Sequence, residues 1–457
     1  MLKIRQEIQS FSKWFKVIFF AAFTVYILLW VFSVHLSSVQ KSRGLLPLLP
    51  GAPKDSEEYI LLSESLISGN GLSMNGKIET LRGIVYPLFV ASIKTAGRSY
   101  FAVTFVQILF VFGSALMVRR IGMIFSSKSA GELAAALLLL NPVSVALALL
   151  ILTDTLFLFL FTFGFYKALL LQKEKWGINI LVVSFLFAIA IYVRGMGIFA
   201  LPIFIAPILA CRLPFKFQIK SAAVMLCIII ISVLPWVFRN YIRTGVPAWN
   251  SFESVNLSWI VPKFLSSKNG TPEAVEIKKF QESTGVPQSA WQDLSWHDIR
   301  YSKQINAVGE KIILQRPFSY LKFHLITSLP FLFPSTILFA RDVYNSVLHE
   351  ERPFEYGGIN ALASGDFKVF YNAILKVWWK FAERILWLIG LLIALYEAWG
   401  NRRNHLTWAF VFTIGYLMLL SGPAAGPRLS FQAWPYMFIL FASGLTRLYQ
   451  KFISKNI

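Results

Sequence analysis

Asp55, Glu57, Glu58 and Glu64 fall within one short polar stretch, Asp55-Ser56-Glu57-Glu58-Tyr59 and the turn after it. Arg82 follows in Leu81-Arg82-Gly83-Ile84-Val85-Tyr86-Pro87. Carboxylates near an arginine suit transfer of a group away from a phosphate. A carboxylate can take the proton of an attacking hydroxyl, a contribution of about 10²–10⁴-fold. Because phosphate leaves as an anion, no strong acid is needed, and one carboxylate suffices where a glycosidase uses a pair. Negative charge builds on the phosphate in the transition state, so arginine or a metal must meet it. The planar guanidinium fork is shaped for that task.

Local structure offers a second explanation of the same residues. Tyr59, Leu62 and Leu66 recur at helical spacing, as in a short amphipathic helix on the outer membrane surface. Asp55 would be its N-cap, Glu58 would complete a capping box, and Gly69 would stop it. Capping and catalysis are compatible. Arg82, Arg194, Arg239 and Arg428 all fall at predicted outer helix ends, against the usual placement of positive charge inside. Snorkelling to headgroups explains any one of them more easily than all four. Asp154, in Leu152-Thr153-Asp154-Thr155-Leu156, is the acid most surrounded by apolar sequence, which makes it a functional candidate or a helix N-cap.

The elements that must position these residues are membrane helices. The 457 residues are 56% hydrophobic and only 15% charged, well outside soluble composition. Repeated apolar runs of about 18–22 residues set the class as an all-α integral membrane protein. The net charge of +21 sits largely at helix ends and serves orientation and anionic headgroups. Nucleic acid is excluded as a partner, since no basic stripe alternates with stacking aromatics. Lys3, Arg5, Lys13 and Lys16 put the N-terminus in the cytoplasm, and the run from Phe15 to Val34 is an uncleaved anchor. The chain forms one polytopic domain, 1–457, with its C-terminus also cytoplasmic. About ten spans are expected, with up to about thirteen compatible. The Asn141-Pro142 pair marks a bend in one of them. Two outer segments interrupt the spans, a first loop over 35–100 and a polar segment over 239–316. The tryptophans of the second, Trp259, Trp291 and Trp296, point to a folded subdomain. Leu321–Phe339, broken by Pro330 and Pro334, predicts a re-entrant or interfacial hairpin. Cys211 and Cys227 behave as small hydrophobes, and the five histidines show no metal-ligand spacing.

The order of Asp55-x-x-x-Tyr59, Arg82 with Tyr86-Pro87, Thr153-Asp154-Thr155, Arg194-Gly195, Pro235-Trp236-x-x-Arg239-Asn240 and Pro427-Arg428 resembles the polytopic GT-C glycosyltransferases. The nearest groups are the protein O-mannosyltransferases, the lipid A aminoarabinose transferase and the rhizobial core transferases. The resemblance covers about residues 15 to 445. It implies a GT-C-like bundle of about 10–13 helices with amphipathic helices on its outer face. It also implies an inverting transfer of a monosaccharide from a polyprenyl- or dolichyl-phosphate donor on the outer side. The resemblance maps the base onto Asp55, with Glu58 and Glu57 as further candidates. It puts Arg82, Tyr86, Asp154, Arg194, Arg239, Asn240 and Arg428 around the substrate. No cofactor follows from it with certainty, a divalent metal being compatible with the chemistry. The acceptor would be a glycan, a lipid or a protein. The chain departs from the family in having Arg82-Gly83-Ile84-Val85-Tyr86-Pro87 for Arg-Pro-Pro-Gly-Tyr-Pro, and Ser56 beside Asp55 where a second acid is common. Two other classes share the many spans. A polysaccharide polymerase or ligase would not need the acidic cluster, and a secondary transporter would carry paired interrupted helices and midplane charges.

Overall fold

The computed structural model describes residues 2–42, 54–172, 174, 176–195, 197–293, 295–347 and 367–456. Helix α1 (Leu2–Gln9) leads into α2 (Lys13–Ser42). The first loop carries α3 (Lys54–Ile67), an antiparallel hairpin of β1 (Ser73–Met74) and β2 (Lys77–Ile78), and α4 (Val85–Gly97). Residues 43–53 of this predicted loop lie outside the described residues. Next come α5 (Tyr100–Phe125), α6 (Lys128–Leu140) and α7 (Pro142–Leu149). The last two form a pair bent by 55°. Asn141 makes the bend, its side chain accepting from the Val143 N–H while Pro142 opens the new helix. Four further helices of the bundle follow, α8 (Asp154–Leu169), α9 (Trp176–Val193), α10 (Leu201–Leu209) and α11 (Phe215–Thr244).

The polar segment is helical. It contains α12 (Phe252–Asn269), α13 (Glu273–Thr284), α14 (Gln288–Gln292) and α15 (Ser302–Gln315) around a core of Val261, Phe280, Trp291 and Ile305. It begins later than 239, because α11 runs on to Thr244 and stops at Gly245 in the left-handed region. The predicted hairpin is two helices, α16 (Pro317–Ser328) and α17 (Thr336–Val347), separated by a 3-10 turn at Leu329–Phe331. The last elements are α18 (Phe367–Gly400), α19 (His405–Ser421), α20 (Pro427–Ser430) and α21 (Trp434–Asn456).

Five described helices are long and apolar enough to cross a membrane, and six if the bent pair is one span. The expected ten also included α8, α10, α18 and α21. α8 has 16 residues and α10 has 9, short of the roughly 20 needed for a straight crossing. α18 and α21 carry Glu383, Glu397, Arg447 and Lys451 within or beside their apolar stretches. All four nevertheless pack in one bundle. Phe161 of α8 meets Phe204 of α10 and Tyr436 of α21, each at 5.6 Å, and Trp387 of α18 stacks on Phe438 at 6.1 Å. α5 and α6 approach so closely that a Cβ on Gly131 would lie 2.3 Å from the Arg119 carbonyl oxygen. Only glycine fits there.

The bundle has two polar ends. At one, buried Arg119 pairs with Glu7 and Glu132 and tethers α1, while Glu397 meets Arg447. At the other, the ends of α7, α9, α11 and α19 meet the starts of α5, α8 and α21. The first loop, the helical segment and α16 also gather there, with His324 of α16 2.7 Å from the Leu419 carbonyl.

Candidate functional site

On α3, Asp55, Glu58, Tyr59 and Leu62 share one face at helical spacing, and that face is turned into the protein. Glu57 sits on the opposite face and is exposed. Asp55 lies within the first helical turn, where a carboxylate also complements the helix dipole. Its oxygens are met by Arg428 Nη1 at 2.6 Å and Arg82 Nη2 at 3.3 Å. Glu58 is buried and pairs with Arg82. The capping expectation for Asp154 fails. It is the first residue of α8, the N-cap is Thr153, and its fully buried carboxylate is bound by side chains instead. Arg194 Nη1 donates to it at 2.7 Å, Arg428 Nε at 2.9 Å and Gln432 Nε2 at 3.4 Å. Arg428 therefore bridges Asp55 and Asp154, which are far apart in sequence.

Arg82 is aimed by Glu79, which sequence reasoning missed. The Glu79 carboxylate accepts the backbone N–H groups of Leu81 and Arg82 at 2.5 and 3.0 Å, and also pairs with the Arg82 guanidinium at 3.7 Å. Its i, i+3 spacing to Arg82 was the available signal. Gly83 then lets the backbone press on α9, since a Cβ there would lie 2.2 Å from the Tyr192 carbonyl oxygen. Gln432 was the other omission, an amide in an otherwise apolar approach to the last helix.

These residues line or floor a cavity of about 880 Å³, a size suited to a small-molecule ligand. Asp55, Glu58, Arg82, Arg194 and Arg428 are on its wall. Three guanidiniums face four carboxylates, counting Glu79 and Asp154. Burial pushes the Asp55 carboxyl upward, but Arg428 and Arg82 outweigh it and hold the group below its ordinary value. Arg428, desolvated but flanked by two carboxylates, is held firmly charged. In the described hydrogen bonds Arg194 uses Nη1 alone, and Arg428 uses Nε and Nη1. Each thus retains N–H donors on a side chain that lines the cavity.

The other predicted residues are elsewhere. Arg239 does not line the cavity. It lies over the Trp236 ring and donates to the carbonyls of Glu79 at 2.8 Å and Leu72 at 3.3 Å, pinning the first loop to α11. Asn240 is buried and holds the Ala248 and Trp249 carbonyls. Tyr86 is buried against Tyr59 and donates to Gln107 at 2.6 Å. These three shape the walls from behind.

No protein-family model and no curated protein matches the chain. Among solved structures, the oligosaccharyltransferase AglB of Archaeoglobus fulgidus, complexed with an inhibitory peptide and a dolichol-phosphate, has a TM-score of 0.52 at 14% identity. The match covers 96% of this chain and 51% of that one. At that identity the likeness is one of fold. The chain spans about half the length of the archaeal enzyme, whose zinc and sulfate complex matches with a TM-score of 0.47 at 14% identity, over 88% and 46% of the two chains. ArnT from Cupriavidus metallidurans in the apo state matches with a TM-score of 0.40 at 12% identity, over 93% and 76%. As for a divalent metal, no three His, Cys, Asp or Glu side chains among the described residues come together in a way that could hold one. The clustered acids are already met by guanidiniums. The described residues of the site do not fit a metal, and no step below uses one.

Proposed function

We propose that the chain is an inverting glycosyltransferase, taking a monosaccharide from a polyprenyl- or dolichyl-phosphate on the outer side of the membrane. The observation that carries this reading is the Arg428 bridge between Asp55 and Asp154, at a cavity that Arg82 and Arg194 also line. The dolichol-phosphate held by the archaeal enzyme of the same fold type is in keeping with such a donor.

The donor phosphate takes the remaining N–H groups of Arg194 and Arg428. Asp55 accepts the proton of the acceptor hydroxyl as its oxygen attacks the anomeric carbon from the face opposite the phosphate. The new carbon–oxygen bond forms as the bond to phosphate breaks, and the bonding pair leaves with the lipid phosphate. One displacement inverts the centre. Asp154 cannot be the base, since it is fully buried and bound by two arginines, so it fixes the guanidiniums instead. Phosphate competing for Arg428 would weaken its hold on Asp55 and raise the basicity of that carboxylate once donor has arrived. Glu58 serves Arg82.

The test is chain-dependent transfer from a polyprenyl-phosphate hexose of known anomer, with the product anomer read by NMR. Inversion is expected. Retention, or no transfer that depends on the chain, would overturn the reading.

A further inference from the structure

Besides the arginines, residues of α12 form part of the cavity wall. Phe252, Glu253, Asn256, Trp259 and Ile260 recur at helical spacing and all line it, and Tyr320 of α16 adds another aromatic. This stripe differs in chemistry from the cationic side. It presents a carboxylate, a side-chain amide and two aromatic rings, with no cation among the α12 residues that line the cavity and Lys263 seated over the Trp259 ring at 5.2 Å. Such a surface is poor for phosphate. It is well suited to a sugar ring, whose C–H faces pack on aromatics while its hydroxyls are matched by amide and carboxylate groups.

The placement of these residues is specific. Trp291 and Trp296 pack together at 4.8 Å at the subdomain core, whereas Trp259 faces the cavity. The subdomain is tied to the first loop and to the end of α9 by hydrogen bonds outside the stripe, while Phe252 packs on Gly195. Ser251 and Ile299 donate to Thr80 at 3.2 and 3.1 Å, and Asn250 donates to the Gly195 carbonyl at 3.0 Å. The Glu253 and Asn256 side chains thus line the cavity apart from these anchoring contacts, and Trp259 lines it with the Lys263 ammonium 5.2 Å from its ring centroid. Burial and nearby Glu310 push the Glu253 carboxyl upward, which favours a hydrogen-bonding rather than a purely ionic role.

We infer that the Glu253–Asn256–Trp259 face of α12 is the glycosyl-recognition wall, selecting the sugar of the donor while the arginines hold its phosphate. The inference rests on the donor reading above and adds where specificity is set. In the test, the full chain in nanodiscs is titrated with a bare polyprenyl phosphate and with polyprenyl-phosphate conjugates of mannose, glucose and galactose. Wild type is expected to favour at least one conjugate over the bare lipid. Trp259→Ala and Asn256→Ala should each cut that preference about tenfold, with bare-phosphate affinity within about twofold, and Trp259→Phe should restore most of it. Unchanged bare-lipid binding also reports that the variants are folded. If wild type binds the bare lipid and the conjugates without preference, or if both alanine variants keep the preference, the recognition wall is wrong and the donor reading stands. If wild type binds none of the lipids, both fall.

Discussion

Removing the Arg428 guanidinium should expose how strongly the two carboxylates depend on one another. The Asp154 arm is the stronger, because that carboxylate is fully buried and its bond to Nε is 2.9 Å long. A charge-assisted bond of this kind contributes about 1.5–3 kcal/mol, and stripping a partner from a buried charge costs about 3–5 kcal/mol. Arg194 remains on Asp154 in the variant and moderates the loss. The Asp55 arm counts for less despite its 2.6 Å contact, since 39% of the Asp55 side chain is exposed and solvent screens the pair to under about 1 kcal/mol. Arg428→Ala is therefore expected to destabilise by about 3 kcal/mol. Asp154→Asn should relieve part of that loss, because the fully buried carboxylate is then gone, although Arg194 gives up its own ion pair. The assay is a double-mutant cycle, read from SDS unfolding of detergent-solubilised protein. A coupling of at least about 1 kcal/mol is expected between Arg428→Ala and Asp154→Asn. Additivity within about 0.5 kcal/mol would refute the bridge.

Other consequences are open to simpler measurements. Because the Asp55 carboxyl is held low, its contribution is present above the ordinary carboxylate range and lost as pH falls through the depressed value. The acid limb of kcat/KM should therefore lie below the ordinary carboxylate value, and a limb above that value would count against Asp55 as free-enzyme base. Arg239→Ala should lower stability by loosening the first loop, yet change donor affinity less than Arg194→Ala; the reverse order would return Arg239 to the phosphate site. Single cysteines at Lys77 and Asn269 should both react with an impermeant thiol reagent in intact cells. Labelling of one alone would separate the first loop from the helical segment that its Lys77–Asp293 pair joins.

Sequence and structure agree best where one physical rule dominates. Apolar runs bounded by charges located the bundle helices, because burying backbone polar groups in hydrocarbon leaves helix as the open choice. Asn141-Pro142 predicted its bend through local capping chemistry. The spacing of Tyr59, Leu62 and Leu66 predicted the helix α3, yet Glu57 stayed a candidate beside Glu58 until the structure showed it exposed on the far face. Pairing across long sequence distances was hidden. Nothing in Pro427-Arg428 shows that its guanidinium meets Asp55, and nothing near Arg239 shows that backbone carbonyls claim it. Outer location is a one-dimensional signal, whereas lining a cavity depends on how loop and helix ends pack. The α12 stripe escaped notice for a related reason, because an amphipathic face looks the same whether it covers a core or a ligand.

The most direct test of the account is transfer by Asp55→Asn, in membranes from the native host that lack the wild-type chain and are supplied with labelled polyprenyl-phosphate sugar. Asparagine keeps the shape of the side chain but cannot take the acceptor proton, and it releases Arg428 toward the donor phosphate. Transfer is expected to fall by about 10²-fold or more, while the donor lipid binds as well as before or tighter. Transfer at the wild-type rate would contradict Asp55 as the base and, with it, the mechanism built on the Arg428 bridge.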